Sequence, residues 1–79
     1  MITNNLMSES EIYISIGKKI KSIRESKGLT QQALSDLCDF EKSNVSRIES
    51  GRTNLTIKSL LKISQALHVK MKELLDVEN

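Results

Sequence analysis

An all-α domain is what this sequence predicts, and three observations predict it. The chain has 79 residues without a single proline, and glycine occurs only at positions 17, 28 and 51, so few residues interrupt a helix. The apolar residues recur at spacings of three and four, the period of one helical face, and seldom alternate with the period of two that a strand requires. Residues suited to open and close helices stand where those apolar runs start and stop. At this length the chain makes one domain with a limited core and little stability to spare.

The elements follow in order. Residues 1–7 read as a frayed tail, and residues 8–79 as the domain. Ser8 with Glu11 fits a capping box. Ile12, Ile16, Ile20 and Ile23 then share one face, with Lys18, Lys19, Lys21 and Arg24 mostly off it. Gly17 interrupts this helix at about 1 kcal/mol relative to alanine, which points to close packing or to a late helix start. Gly28 suits the left-handed residue of a Schellman turn that folds Leu29 back towards Ile23. Thr30 is a good N-cap for helix two, with Leu29 and Leu34 as a hydrophobic staple and Ala33, Leu34, Leu37 and Cys38 as its apolar face. The staple spacing recurs with Phe40 and Val45 around Glu41, and with Leu55 and Leu60 around Thr56. Glu41 is a poor N-cap, although its charge suits the helix dipole. Helix three is expected over 42–50 with Val45 and Ile48 inward, ended by Gly51. Helix four is expected over 57–67 with Ile57, Leu60, Leu61, Ile63 and Leu67 apolar, and a last short helix over 71–75.

Composition narrows the function. Cys38 is the only cysteine, which rules out an intrachain disulfide or a cysteine-based zinc site and makes a reducing cytoplasm the natural compartment. No apolar run has membrane-spanning length, and Met1–Ser10 lacks the basic start and apolar middle of a signal peptide; no membrane partner is expected. There is no Ser/His/Asp constellation, metal-ligand cluster or phosphate-cradling glycine loop, so neither an enzyme nor a cofactor is expected. His68 has no second histidine or cysteine near it in sequence and reads as a helix-end residue rather than a metal ligand. Cys38 reads as a core thiol rather than a redox sensor. Tyr13 and Phe40, the only aromatics, read as packing residues. The net charge of +2 is uninformative, but its distribution is not: between residues 42 and 70 stand Lys42, Arg47, Arg52, Lys58, Lys62 and Lys70 against Glu49 alone. A basic middle with acidic flanks fits a phosphate-facing surface, and on charge alone it also fits a solvated polar face.

The stretch Gly28-Leu-Thr-Gln-Gln-Ala-Leu-Ser-Asp-Leu-Cys-Asp-Phe-Glu-Lys-Ser-Asn-Val-Ser-Arg-Ile-Glu-Ser-Gly51 reads as two short helices joined by a tight turn and bracketed by glycines. With Ile16-Gly-Lys-Lys-Ile-Lys-Ser-Ile-Arg-Glu-Ser-Lys before it and Leu60-Leu-Lys-Ile-Ser-Gln-Ala-Leu after it, the chain resembles the Cro/repressor type of helix-turn-helix, the XRE family, over residues 16–75. The resemblance implies a compact five-helix bundle, a lambda-repressor-like DNA-binding domain whose helix-turn-helix is made by helices two and three. It further implies binding to double-stranded operator DNA as a symmetric dimer. It implies that Gln31 touches a phosphate and braces helix three, that the exposed start of helix three reads bases, and that Arg24 pairs with Glu49. The sequence departs from the family pattern at three places. Asp39-Phe40-Glu41 stands where Gly-Val-Ser is usual, Leu55 where proline is usual, and His68 where glycine is usual. His68 must then adopt a left-handed conformation or end helix four differently.

These readings assign candidate base contacts to Lys42, Ser43, Asn44, Ser46 and Arg47. Arg47 can grip guanine O6 and N7, Asn44 can grip adenine N6 and N7, and the two serines are ambiguous. Thr30, Gln31, Arg52, Asn54 and Lys58 are candidate phosphate contacts, which set affinity and salt dependence more than sequence choice. Leu55, Met71, Leu74 and Leu75 are the candidate dimer surface, less whatever part of that patch closes the core. The leading reading is a homodimeric transcriptional regulator of a short palindrome. The alternative is an antitoxin or adaptor module that binds a protein partner on the same fold.

Overall fold

The computed structural model describes residues 6–77. The first helix, α1 (Glu9–Ser26), starts on a reciprocal capping box. Ser8 Oγ accepts the Glu11 N–H at 3.2 Å, and Glu11 Oε1 accepts the Ser8 N–H at 2.9 Å, which satisfies two amides that a helix start otherwise leaves open. Those hydrogen bonds hold the exposed Glu11 carboxyl below its usual range. Four further helices follow: α2 (Gln31–Cys38), α3 (Lys42–Glu49), α4 (Ile57–Leu67) and α5 (Met71–Leu74). Threonine hydroxyls cap α2 and α4, with Thr30 accepting from Ala33 and Thr56 from Ser59, each at 3.0 Å. There is no strand among the described residues. Of the expected tail, residues 1–5 lie outside the described residues, and Leu6 and Met7 precede α1. Helix three ends one residue earlier than expected, with Ser50 as its cap, and the last helix closes at Leu75.

Four helices end in the same way. Beyond α1, α2, α3 and α4, the residue pairs Gly28–Leu29, Asp39–Phe40, Gly51–Arg52 and His68–Val69 donate their N–H groups back to the carbonyls three and five residues earlier. That is the Schellman arrangement, and it requires a left-handed residue. Gly28 and Gly51 supply it at φ 72° and 75°, while Asp39 and His68 adopt it at φ 57°. His68 therefore ends α4 as the absent glycine would have, and Asp39 does the same for α2.

The core is made by Ile16, Ile20, Leu34, Cys38, Val45, Ile48, Leu60, Ile63, Leu67 and Leu74. Helix α3 packs on α1 and α2, α2 on α4, and α5 on α4 and α1. Three expected core positions are instead exposed: Leu37 by 60%, Ile57 by 69% and Leu61 by 44%. Both α2 and α4 keep the helical period expected of them, but the centre of each buried stripe lies elsewhere. In α2 the buried side is Leu34, Ser35 and Cys38, so Ser35 faces inward with its hydroxyl donated to the Gln32 carbonyl at 2.7 Å. In α4 it is Leu60, Ile63, Ser64 and Leu67, with the Ser64 hydroxyl donated to the Leu61 carbonyl at 2.8 Å. Leu74, expected on a surface for a second copy, is fully enclosed within its own chain. It is the part of that patch that closes the core.

Gly17 lies within α1, so close packing and not a late helix start explains it. A Cβ built there would meet the main chain of α3, within 2.6 Å of the Glu49 carbonyl oxygen and close to that of Ile48 as well. Gly17→Ala should therefore destabilise the fold by about 1–3 kcal/mol even though alanine is the better helix former. Urea denaturation checks this; an unchanged or raised midpoint would show that α1 and α3 are not in close contact there.

Candidate nucleic-acid interface

The helix-turn-helix places α3 with one side locked and the other in solvent. Val45, Ile48 and Glu49 are its buried residues. Lys42, Ser43 and Arg47 are exposed, and Asn44 and Ser46 are half-buried. Phe40 and Val45 flank the start of the helix as a staple would, and the Lys62 ammonium lies 5.5 Å from the Phe40 ring centre, where a cation is attracted to the aromatic face.

The locked side is organised by an ion pair. Arg24 Nε donates to Glu49 Oε2 at 2.6 Å, and its Nη2 donates to Glu49 Oε1 at 3.0 Å. The Arg24 Nη1 donates to the Leu29 carbonyl at 2.7 Å, and Gln31 Nε2 donates to Glu49 Oε1 at 3.0 Å. The two charged side chains are only 8% and 3% exposed. The hydrogen bond that Arg24 donates to Glu49, against the cost of burial, pushes the guanidinium further up from its ordinary value. One carboxylate thus joins the last residue of α3 to α1 and to the first residue of α2, and the same guanidinium ties in the turn after α1. Gln31 is half-buried, with its side-chain amide held against Glu49.

The remaining candidate positions surround the exposed side. Thr30 is exposed, with its hydroxyl capping α2. Arg52, Asn54 and Lys58 are exposed after α3. Ser50 donates to the Arg47 carbonyl at 3.1 Å and accepts from Arg52 Nε at 2.9 Å, which pins the Arg52 guanidinium at the negative end of the α3 dipole. Lys21, not singled out from sequence, borders a small polar cleft of about 190 Å³ with Gln31, Ser46, Glu49 and Ser50. Its position one turn before Arg24 was the available signal. Leu55 and Met71 are half-buried and Leu75 is 43% exposed. Cys38 is buried, and burial pushes its thiol up from the ordinary value. Among the described residues there is no group of three or more His, Cys, Asp or Glu side chains that could hold a metal ion, and no helix is long and apolar enough to cross a membrane.

Comparison with known proteins agrees with this geometry. Residues 20–74 match the helix-turn-helix family model. The chain belongs to the helix-turn-helix family. This helix-turn-helix protein is similar to control protein C.BamHI of Bacillus amyloliquefaciens, at 38% identity over 95% of this chain and 86% of the relative. Its fold matches the restriction-modification controller protein C.AhdI of Aeromonas hydrophila with a TM-score of 0.77 and 31% identity, covering 78% of this chain and 94% of that one. It also matches the biofilm master regulator SinR, solved in complex with DNA, with a TM-score of 0.72 and 39% identity over 77% of this chain and 98% of that one. The helix-turn-helix protein is a DNA-binding regulator of the XRE type.

Removing one partner of the buried pair strands the other. Arg24→Met should cost about 3 kcal/mol of stability, and replacing both partners, as Arg24→Met with Glu49→Leu, should recover part of that loss. Urea denaturation of the single and double variants reads both quantities. A single variant as stable as the wild type would show that the pair does not hold the helices.

Proposed function

We propose that the protein is a cytoplasmic, homodimeric and sequence-specific transcription regulator. In this reading α3 enters the major groove of a palindromic operator, and the operon controlled is a restriction–modification operon. The observation that carries the first part is the division of α3 into a locked side and an outward set of Lys42, Ser43 and Arg47, with Asn44 and Ser46 at its margin. These are groups that donate to or bond with base edges at the start of a helix, the geometry by which a helix-turn-helix reads DNA. Arg47 takes guanine, Asn44 takes adenine, and Lys42 donates to guanine or phosphate. Thr30, Gln31, Arg52, Asn54 and Lys58 hold the backbone. The operon assignment is supported by similarity to control protein C.BamHI and to the restriction-modification controller C.AhdI.

One module spans one half-site, so useful specificity requires two modules about 34 Å apart along the duplex. The surface proposed for pairing combines Leu55, Met71 and Leu75 with Ile57 and Leu61. The last two are exposed leucine and isoleucine side chains one turn apart on α4. A fully enclosed Leu74 has no part in it.

Arg47→Ala should lower operator affinity by about tenfold or more and relax base choice at one position per half-site. Arg52→Ala should weaken binding to all duplexes alike and reduce the salt slope by about one unit. Selection from random duplexes followed by titration at two salt concentrations checks both, and failure of the wild-type protein to enrich any motif would sink sequence-specific regulation. For assembly, sedimentation at micromolar concentration should show a dimer that Leu61→Glu converts to a folded monomer. A wild-type monomer would remove the interface.

A further inference from the structure

Glu41 stands at the entrance of α3 with a side chain that makes no bond in the fold. It is the N-cap of α3, with extended backbone at φ −76° and ψ 148°, and its carbonyl accepts the Asn44 and Val45 N–H groups at 2.9 and 3.3 Å. Its side chain makes no cap hydrogen bond, it is exposed, and the described residues offer its carboxylate no hydrogen-bond or ion-pair partner. The contrast with the other long helices is direct: Ser8, Thr30 and Thr56 all spend their side-chain oxygens on the helix they open. The main chain therefore fixes where Glu41 sits, and its carboxylate is uncommitted beside exposed Lys42 and Ser43.

Resting on the reading above, we propose that Glu41 is a specificity-determining residue whose carboxylate accepts a hydrogen bond from the N4 amino group of a cytosine in the major groove. An ionised carboxylate has acceptors only. Near a duplex it is repelled by phosphates and by the acceptor atoms N7, O6 and O4 of the base edges. The major groove offers two donors, adenine N6 and cytosine N4. Adenine sets its acceptor N7 beside the donor, so a carboxylate meets attraction and repulsion on one base. Cytosine presents its amino group without an acceptor of its own beside it. Glu41 thus selects cytosine and penalises every other base facing it, and it weakens binding to duplexes that lack the cytosine. The departure from a small residue at this position becomes a device for discrimination rather than for affinity.

The test is selection from random duplexes with wild type, Glu41→Ser and Glu41→Gln, followed by titration of each protein on the selected duplex and on a random one at fixed salt. Serine is the better N-cap, so the first variant folds at least as well as the wild type. The wild-type motif should contain a cytosine in each half-site, preferred about tenfold or more over the other bases. Glu41→Ser should lose the preference at that position alone and bind random duplex more tightly. Glu41→Gln should move the preference to adenine, whose N6 and N7 match an amide. A wild-type motif kept unchanged in both variants overturns the inference and leaves the regulator reading intact, because the carboxylate then serves only the helix dipole. A wild-type pool without any motif overturns that reading, and the inference with it.

Discussion

The carboxylate of Glu49 is out of water, and a buried charge is tolerated only when its oxygens are fully compensated. Here that compensation comes from two helices at once. Arg24 on α1 supplies two donors, Gln31 at the start of α2 supplies a third, and the spare arm of the guanidinium closes onto the Leu29 carbonyl in the turn between them. Withdrawing α3 from its place would strip the carboxylate of all its donors together. A pair of this kind adds little net stability over apolar residues of the same shape. Its directional bonds fix the depth and rotation of α3 relative to the two helices that hold it.

The close approach of Gly17 completes that constraint. Side chains can adjust when a packed helix shifts, but a glycine facing two main-chain carbonyls at the end of α3 sets a hard lower limit on the separation of the axes. The ion pair draws α1 and α3 together, and the bare backbone at position 17 permits the result. The surface side of α3 is meanwhile left cationic, since its one acidic residue beyond the N-cap is neutralised inside the protein.

Much of this was legible in the sequence because much of it is local. The Ser8–Glu11 box, the threonine caps and the glycines after α1 and α3 depend on residues within five positions of each other, and all are found. Phase was harder than period. Leu37, Ile57 and Leu61 fit a helical repeat, but whether such a residue faces inward depends on where the neighbouring helices lie. Ser35 and Ser64 take inward places that hydropathy assigns to leucines, because each hydroxyl bonds within its own helix and needs no outside partner. Leu74 shows the same limit from the other direction: α5 has four residues, too few for periodicity to say which side is covered. The pairing of Arg24 with Glu49 followed from resemblance, whereas Gln31 bonding to Glu49 and Lys21 bordering that cleft depend on the packing of three helices. Asp39 and His68 are left-handed because the hydrogen bonds that end α2 and α4 demand it, which outweighs the steric preference of their side chains.

The division of α3 into two sides has an evolutionary meaning. Everything that seats the helix, from Gly17 and Arg24 to Val45, Ile48 and Glu49, is on or against its buried side. The side chains of residues 41, 42, 43 and 47 are in solvent and take no part in that seat. Substitutions among them leave the scaffold's stability almost untouched, so they can accumulate one at a time without a compensating change elsewhere. A fold with so small a stability margin can therefore drift through many surface codes while remaining the same fold, because the residues that mutate freely are not those that hold it together.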